Sequence, residues 1–494
     1  MISLVRPPID LGQPGALLLV SCYELGHQPL GIAWPRAFLE ASASTPEVLD
    51  LAIDAFDEAK VRPARFVGIA VPMHTALRLG VRAAERIRRL NPDCFICFYG
   101  LYALLNAAYL LEHVADAVIG GEFEGPLVAL VEQLTRDGSA AVAGVVRANE
   151  SPAAALGRLA YPVPDRRALP SLRRYVHLAR TNGTTTPAGY VEASRGCLHL
   201  CLHCPIPPVY GGRFFAVPRE VVLEDIRGLV ARGAGHITFG DPDFLNGPGH
   251  ALKLVRALHA EFPAVTYDFT AKIEHILKHR TLFPEFGELG CVFVVSAVES
   301  LSDVVLANLK KGHTGADVPV ALDIARRAGI ALRPSFVAFT PWTTLEDYRH
   351  LLDFVEAADW THEVDPVQFA IRLLVPPGSS LVGQPAMQPH VGVLDPATFT
   401  YRWAHPDARM DVLHREVCAV VEAAAQRGEE PAVTLERIRA AVNAVTGAAP
   451  PAASVSVRAA TPRRSPRLTE SWFCCAEPTE RQLGSVDSDV LRSV

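Results

Sequence analysis

Short apolar runs alternate with amphipathic segments along most of the chain, and this pattern predicts an α/β architecture. In the first third, four runs have the length of buried strands: Ala16–Val20, Phe66–Val71, Cys94–Phe98 and Ala117–Gly120. The strongest helical pattern between them covers Leu77–Leu90. Such alternation favours a parallel, doubly wound sheet that binds ligands at the carboxyl ends of its strands. We therefore predict a Rossmann-like domain over residues 1–145.

A second series of strand and helix patterns begins at Tyr190, after a Pro- and Arg-rich linker predicted over 146–187. Six strand candidates alternate with helical segments: Tyr190–Glu192, His236–Phe239, Thr266–Thr270, Val292–Ser296, Ala331–Phe339 and Gln368–Leu374. Six βα units predict a partial (β/α)6 barrel over 188–385, with chemistry at the C-terminal ends of the strands.

The chain after the barrel divides into two parts. Two helical patterns predict a helical extension over 386–446. The composition then becomes rich in Ala, Pro, Ser and Arg without periodicity, which predicts a flexible tail over 447–494. The tail contains Trp472-Phe473-Cys474-Cys475, and a vicinal cysteine pair beside two aromatic residues is unusual for an unstructured segment.

Bulk properties narrow the class of protein. A chain of 494 residues has room for two to three domains, and its net charge of −6 gives no reason to expect nucleic acid as a partner. No apolar run approaches the ~20 residues of a membrane helix, and Met1–Pro8 has no signal-peptide pattern. Ten scattered cysteines suggest a reducing compartment, so we expect a cytoplasmic protein without a membrane partner.

Cys197, Cys201 and Cys204 form the most informative motif of the chain. Their C-x3-C-x2-C spacing allows three thiolates to hold three irons of a [4Fe–4S] cluster, and Gly196 permits the turn that this loop needs. No further cysteine follows before Cys291, so the fourth iron is left open. An open iron can bind a small molecule and give it an electron, which favours a redox enzyme.

A zinc site is the alternative interpretation of this motif, because His199 and His203 are interleaved with the cysteines. Structural zinc sites usually have two ligand pairs separated by a loop, and that pattern is absent from the sequence here. We therefore place the two histidines next to the cluster or facing solvent.

The cysteine motif within a six-unit α/β domain resembles the radical SAM superfamily over residues 188–385. The resemblance implies that the open iron chelates the amino and carboxylate groups of S-adenosylmethionine (SAM), and that electron transfer cleaves a C–S bond. It also implies a low-potential flavodoxin or ferredoxin as reductant. The sequence does not determine which C–S bond of SAM breaks.

The same resemblance implies residues that contact SAM at the ends of the strands. These are Gly240, Asp241, Asp243, Ser296, Glu299, Arg333 and Arg372. The run Gly240–Phe244 stands where the superfamily has a Gly-Gly-Glu-like motif, and it departs from that motif. For each residue an ordinary turn or ion pair is the structural alternative.

The N-terminal domain is similar to the cobalamin-binding domains of B12-dependent radical SAM proteins. The similarity lies in the order of the predicted strands and in the sequence segments Val71–Thr75 and Gly120–Glu122. Cobalamin domains of the base-off type carry Asp-x-His-x-x-Gly after the first strand, whereas Tyr23–Gly31 offers His27 without the motif. Cobalamin is therefore kept as an alternative cofactor that this loop does not favour.

The tail motif Cys474-Cys475-Ala476-Glu477-Pro478 resembles the CUAEP/CCAEP-tail radical SAM proteins, some of which carry selenocysteine in place of a cysteine. Such interchange indicates a soft nucleophile or ligand, and soft thiolates select thiophilic centres such as trivalent arsenic. The resemblance implies transfer of the 3-amino-3-carboxypropyl group of SAM to arsenite, as in arsinothricin biosynthesis. The alternatives are a cobalamin-dependent methyltransferase, a non-enzymatic metal-binding module, and a tail that forms a redox disulfide or a docking peptide.

Overall fold

The N-terminal unit is a doubly wound sheet. The computed structural model describes residues 8–42, 44–136, 141–447 and 465–470. The unit has six strands: β1 (Leu17–Ser21), β2 (Glu47–Asp50), β3 (Phe66–Ala70), β4 (Phe95–Tyr99), β5 (Ala117–Ile119) and β6 (Val145–Val146). Their order is β2-β1-β3-β4-β5-β6, and all are parallel except β6. The order 2-1-3-4-5 is one of the two common doubly wound arrangements.

Helices connect these strands and cover the sheet. They are α1 (Leu30–Ala41), α2 (Glu58–Val61), α3 (His74–Leu90), α4 (Leu101–Leu105), α5 (Ala107–His113) and α6 (Glu124–Arg136). The four strands predicted from apolar runs are confirmed within a few residues. The sequence pattern missed β2, which has only four residues, and its first residue is exposed.

The second unit is built around a seven-stranded sheet. The remaining strands within the described residues are β7 (His177–Ala179), β8 (Thr185–Val191), β9 (Ser194–Gly196), β10 (Phe214–Ala216), β11 (His236–Phe239), β12 (Thr266–Thr270), β13 (Cys291–Glu299), β14 (Ala331–Phe336), β15 (Val391–Asp395), β16 (Thr400–Trp403) and β17 (Arg467–Leu468). The sheet order is β14-β13-β12-β11-β8-β7-β17. Strands β8 and β11 to β14 are parallel, and β7 and β17 add antiparallel pairs at one edge.

The helices of this unit follow the βα pattern as far as β14. They are α7 (Ile206–Tyr210), α8 (Arg219–Ala231), α9 (Pro248–Glu261), α10 (Ile273–Lys278), α11 (Phe283–Glu288), α12 (Asp303–Leu309), α13 (Asp317–Arg327) and α14 (Leu345–Ala357). The predicted helical extension contains α15 (Ala408–Arg427) and α16 (Pro431–Thr446) after the β15–β16 hairpin. None of the helices in the described ranges combines the length and apolar character needed to cross a bilayer.

The predicted sixth barrel strand, Gln368–Leu374, does not form as a strand. Pro366–Phe369 is a 3₁₀-helix, and the pairing at this position is an isolated bridge between Phe339 and Arg372. The Gln368 side chain accepts a hydrogen bond from the Phe336 backbone N–H at 2.9 Å. A side-chain amide therefore satisfies an edge donor of β14 that a sixth strand would have paired.

The predicted linker packs between the two units instead of separating them. Tyr161 and Leu172 belong to one buried apolar cluster that also contains Leu19 of β1 and Phe239 of β11. The Trp34 indole donates to the Pro162 carbonyl at 3.1 Å. The two sheets therefore share a core, which fixes their relative positions.

Part of the predicted flexible tail is ordered. In β17, Arg467 pairs with Ala179 and Leu468 pairs with Leu178 of β7. The prediction of a flexible tail is wrong for residues 465–470, because they extend the barrel sheet by one strand. The cysteine pair Cys474–Cys475 lies outside the described residues.

Candidate active site

One cavity lies where the carboxyl edges of the two sheets meet. Its volume is about 390 Å³, and Cys197, Cys201 and Cys204 all line it. The N-terminal unit contributes residues that follow β1, β3, β4 and β5, such as Glu24 and Met73. Sites for small ligands measure roughly 300–1,000 Å³, so this cavity has the size of a small-molecule site.

The cysteine loop is shaped by the short β9–β10 pair that precedes and follows it. Gly196 ends β9 with φ +73°, and a Cβ at this position would lie 2.3 Å from the Arg213 carbonyl oxygen. Cys197 and Cys201 are buried, whereas Cys204 is partly exposed. The predicted need for glycine before the motif therefore has a structural reason: only Gly196 allows this turn and this close approach.

The separation of the three thiols fits a cluster better than zinc. Zinc–sulfur bonds of ~2.3 Å in a tetrahedron would hold the sulfurs about 4 Å apart. Among the described residues, the set of three ligand atoms within 4.8 Å of one another belongs to His199, Asp243 and His275, not to the cysteines. Sulfurs that bind different irons of a cubane lie further apart, and the three cysteines of this loop provide such ligands.

The wall beside the cysteines carries a buried ion pair. Glu299 accepts from Lys311 Nζ at 3.0 Å and contacts His203 Nε2 at 3.2 Å. Burial opposes ionisation of Glu299, but Lys311 and then His203 outweigh it and lower the pKa of Glu299 to about 2. Glu299 is therefore an ionised cavity residue, and its φ of +63° marks the bulge that ends β13.

Five of the seven residues predicted to contact SAM line the cavity. They are Gly240, Asp241, Asp243, Glu299 and Arg333. Gly240 and Asp241 follow β11, where a Cβ on Gly240 would lie 2.1 Å from the Tyr190 ring. The structure thus brings these five residues and the cysteine loop around one space.

Asp241 is a buried carboxylate at the end of β11 that lines the cavity. It accepts hydrogen bonds from the Ser194 hydroxyl and from the Ala193 backbone N–H, the latter at 2.9 Å. Burial raises the pKa of Asp241 to about 7 in spite of these two bonds. Its charge near neutral pH therefore depends on whether a cation lies beside it.

The two other predicted SAM contacts lie elsewhere. Ser296 is fully buried and is not among the residues that line the cavity, whereas its neighbours Val295 and Ala297 are. The guanidinium carbon of Arg372 lies 3.7 Å from the centroid of the Trp403 ring, and the guanidinium pairs with Asp411 Oδ1 at 2.7 Å. Arg372 is likewise not among the residues that line the cavity. Ser296 points to the opposite face of β13, and Arg372 has a packing role.

Arg195 is a site residue that sequence reasoning missed. It immediately precedes Gly196 of the cysteine loop, and its guanidinium pairs with Glu124 at 2.7 Å and Glu192 at 2.9 Å. It also stands over the Trp34 ring at 4.4 Å. Arg195 thereby ties the cysteine loop to the N-terminal unit. The sequence signal that could have identified Arg195 is its position immediately before Gly196 and the cysteine motif.

The loop after β1 does not offer a free cobalt ligand. His27 is 2% exposed, and its ring stacks on Tyr190 with 4.6 Å between centroids. Burial lowers the pKa of His27 to about 3, so the ring is neutral. These residues do not fit a histidine-ligated cobalamin, and no chemical step is assigned to that group.

The described tail segment 465–470 docks at the rim of this cavity. The Tyr23 hydroxyl donates to Glu470 Oε1 at 2.6 Å. The Thr469 backbone N–H donates to the His177 carbonyl at 2.8 Å, and the His177 N–H donates to Thr469 Oγ1 at 3.0 Å. Three residues of this segment line the cavity: Arg467, Leu468 and Glu470.

Arg333 links the barrel to the same segment. Its guanidinium pairs with Asp365 at 2.9 Å and donates to the Pro466 carbonyl at 3.4 Å. Arg333 therefore lines the cavity, and its partners are the tail segment and the Asp365 carboxylate. The tail segment is held by the N-terminal unit, by β7 and by β14.

Comparisons with known proteins agree with this architecture. A model of the radical SAM superfamily matches residues 191–355. The hopanoid C-3 methylase of Methylococcus capsulatus is 27% identical over 265 residues, which are 52% of this chain and 50% of that protein. The ribosomal protein uS12 methylthiotransferase RimO of Geobacter sulfurreducens is 26% identical over 41% of this chain and 49% of its own length. The chain thus spans about half the length of these curated relatives.

Solved structures share the fold of both units. The radical SAM methyltransferase TsrM of Kitasatospora setae superposes with a TM-score of 0.64 at 17% identity, over 79% of this chain and 86% of that chain. The cobalamin-dependent radical SAM enzyme OxsB gives 0.65 at 15% identity, over 82% and 66%. At this identity the likeness concerns the fold alone.

The domain that contains the cysteine loop matches the radical SAM superfamily over residues 191–355. The fold class predicted from the sequence is confirmed. The prediction of an enzyme is also confirmed, in preference to a non-enzymatic metal-binding module. The superfamily implies a [4Fe–4S] cluster and SAM, and cobalamin-binding neighbours keep cobalamin as an alternative cofactor.

Proposed function

We propose that this protein transfers the 3-amino-3-carboxypropyl group of SAM to trivalent arsenic, supplied as arsenite and held by Cys474 and Cys475. The observation that carries the proposal is the docking of residues 465–470 at the cavity that contains the cysteine loop. A tail with no role at the site would have no reason to pair with β7 and contact Tyr23 there.

The chain length between the docked segment and the thiols supports this role. Cys474 follows Glu470 by four residues, and four extended residues span at most about 14 Å. A tethered ligand has an effective concentration of order mM, which replaces a dilute encounter with arsenite. Thiolates are soft ligands and select a thiophilic centre over hard cations.

The cavity walls suit the other substrate. SAM carries a positive sulfonium and a positive ammonium group, and the cavity presents the carboxylates of Glu24, Glu192 and Asp241. Burial raises the pKa of Glu24 to about 8 and that of Asp241 to about 7. A bound cation would favour the ionised form of both groups, so SAM and these carboxylates stabilise each other.

The roles of the remaining residues follow from their positions. Cys197, Cys201 and Cys204 would hold the [4Fe–4S] cluster, which when bound and reduced would supply one electron for cleavage of a C–S bond of SAM. Methylthioadenosine is the leaving group, the aminocarboxypropyl fragment forms a bond to arsenic(III), and the adduct gives up one electron, so that an arsenic(V) product forms without net consumption of reductant. Arg195 holds the loop that carries these ligands. Glu299 and Lys311 form the buried wall beside it. A low-potential flavodoxin or ferredoxin is the proposed reductant.

The thiol role is tested by the double variant Cys474→Ser/Cys475→Ser. Loss of the arsenic-containing product, with SAM cleavage retained, is expected because serine does not bind trivalent arsenic as a thiolate does. Cys418→Ser is the matched control, since this thiol lies beside His414 on α15, away from the cavity lining. Full arsenite-dependent turnover in the double variant would remove the tail from the mechanism.

A cobalamin-dependent methyl transfer is the second candidate. It is favoured by the N-terminal sheet, whose carboxyl edge opens onto the same cavity, and by the cobalamin-dependent enzyme OxsB among the structural neighbours. The cavity volume and the stacked His27 weigh against it. Cobalt content of protein produced with ample cobalamin distinguishes the two: stoichiometric cobalt supports methyl transfer, and its absence supports the arsenic proposal.

A further inference from the structure

The geometry points to a second metal site in the cavity wall, in which His199, Asp243 and His275 bind one divalent first-row transition-metal ion. Their ligand atoms lie within 4.8 Å of one another. The set contains no cysteine, so it is separate from the ligands of the cluster. It does not depend on the arsenic chemistry proposed above.

The three side chains converge on one carboxylate oxygen. His275 Nδ1 lies 2.9 Å from Asp243 Oδ2, and His199 Nε2 lies 3.6 Å from the same atom. The two imidazole rings are tilted by 58° with 4.5 Å between their centroids. Two nitrogens and one oxygen therefore surround a common point instead of forming a flat chain of hydrogen bonds.

The hydrogen-bonding state of the two nitrogens supports a missing ligand. His275 Nδ1 and His199 Nε2 are buried and have no hydrogen-bond partner in the described structure. They lie 2.9 Å (His275) and 3.6 Å (His199) from Asp243 Oδ2 without the geometry of a hydrogen bond. His275 is 6% exposed and Asp243 fully buried, so water is a poor substitute partner.

The carboxylate is held in place from the backbone. Asp243 Oδ1 accepts from the Leu245 N–H at 3.0 Å, and Oδ2 accepts from the Lys272 N–H at 3.3 Å. His275 lies in the first turn of α10, three residues after Lys272. The ligands thus come from the cysteine loop, the turn after β11 and the start of α10, and each is fixed by its own element.

The surroundings also orient His199. Glu274 Oε2 lies 3.7 Å from His199 Nδ1, beyond hydrogen-bond distance, whereas the Lys272 ammonium donates to that nitrogen, so the ring is held with Nε2 toward Asp243. Lys272 Nζ lies 3.1 Å from the same nitrogen and 3.1 Å from Glu274. The two carboxylates of Asp243 and Glu274 outnumber the one ammonium group of Lys272. The local net charge is therefore negative, which favours binding of a cation.

The ligand set selects the class of ion. Two imidazoles and one carboxylate suit zinc, iron(II) or manganese(II), whereas calcium and magnesium prefer oxygen ligands throughout. His199 and Asp243 line the cavity, so open coordination positions face it. Asp243 would then act as a metal ligand. Asp241, which also follows β11, would be the carboxylate that contacts SAM.

Manganese(II) is the probe that tests this site in the full-length, cluster-loaded protein. The oxidised [4Fe–4S] cluster gives no paramagnetic resonance signal, so bound and free manganese can be counted directly. We expect one manganese per chain, with nitrogen couplings from two imidazoles in the electron spin-echo spectrum of the wild-type protein. His275→Ala should weaken binding at least tenfold.

His279→Ala is the matched control, because His279 ends α10 next to His275 but lies outside the ligand set. Four irons per chain in both variants would show that the cysteine loop is intact. Absence of binding at millimolar manganese, absence of imidazole coupling in the wild type, or equal affinity in His275→Ala and His279→Ala would each overturn the site. Arsenite turnover does not enter this measurement, so failure of the proposed function leaves it unaffected.

Discussion

Tyr23→Phe is expected to uncouple arsenic transfer from SAM cleavage by loosening the docked tail segment. The variant removes the hydroxyl that donates to Glu470 Oε1 at 2.6 Å and leaves the ring, which is 5% exposed, in place. A hydrogen bond to a charged group contributes ~1.5–3 kcal/mol. Its loss lowers the docking equilibrium by roughly 10- to 150-fold.

A single bond has this influence because the docked segment is small. Ordering residues 465–470 costs roughly 6–12 kcal/mol of backbone entropy. The compensating interactions are the pairing with β7, the bond from Arg333 to the Pro466 carbonyl at 3.4 Å, the contact with Tyr23 and the partial burial of Leu468. Few interactions therefore offset this entropy, and the hydrogen bond from Tyr23 is one of them.

The assay compares two products of the cluster-loaded enzyme under anaerobic, reducing conditions. Methylthioadenosine reports SAM cleavage, and the organoarsenical reports transfer. We expect the amount of organoarsenical per SAM cleaved to fall severalfold or more in Tyr23→Phe, while cleavage itself continues because the cysteine loop is unchanged. Tyr267→Phe is the control, since it removes a buried hydroxyl that donates to the Phe286 carbonyl, away from the tail.

Thr469→Pro provides an independent way to release the segment. It removes the backbone N–H that donates to His177 and the hydroxyl oxygen that accepts from the His177 N–H. The same loss of coupling is expected as for Tyr23→Phe. An unchanged ratio of the two products in both variants would refute the reasoning that docking delivers the thiols.

Three further predictions concern the site walls. The pKa of Glu299 is about 2 in the folded protein, below its ordinary value. The ionised carboxylate therefore contributes to stability above about pH 4.5, and this contribution is lost as the pH falls through about 2. Glu299→Gln should lower the free energy of unfolding at neutral pH by about 3 kcal/mol and flatten the acid-unfolding profile. Gly240→Ala places a Cβ against the Tyr190 ring and should cost ~1–3 kcal/mol in thermal unfolding. Arg195→Gln leaves buried carboxylates without their guanidinium and should cost ~3–5 kcal/mol in denaturant unfolding, whereas exposed Arg167→Gln should cost little.

The sequence predicts those features of the fold that arise from local apolar patterns. The buried parallel strands were found because continuous apolar runs mark them, and the cysteine loop was found because its spacing has few alternatives. Strand β2 was missed since four residues give no periodicity. The sixth strand was predicted wrongly because an apolar run cannot reveal that the Gln368 side chain will satisfy the β14 edge.

Site residues that follow the ends of strands could be predicted from the sequence. Residues within a strand could not, because the direction of the side chain decides whether the residue faces the cavity. Ser296 and Glu299 stand three positions apart on β13, so alternation places them on opposite faces, and Val295 and Ala297 face the cavity instead of Ser296. The contacts of Arg195 and of the tail segment join residues distant in sequence. Nothing in the local pattern of Pro466–Glu470 predicts that it pairs with β7.

Mass spectrometry with SAM labelled with ¹³C in its aminocarboxypropyl group tests the central claim most directly. The full-length, cluster-loaded protein would be supplied with labelled SAM, arsenite and a low-potential reductant in the absence of oxygen. The account predicts a labelled organoarsenical in equal amount to methylthioadenosine. Formation of 5′-deoxyadenosine with the label retained in methionine, and no arsenic-containing product, would contradict it.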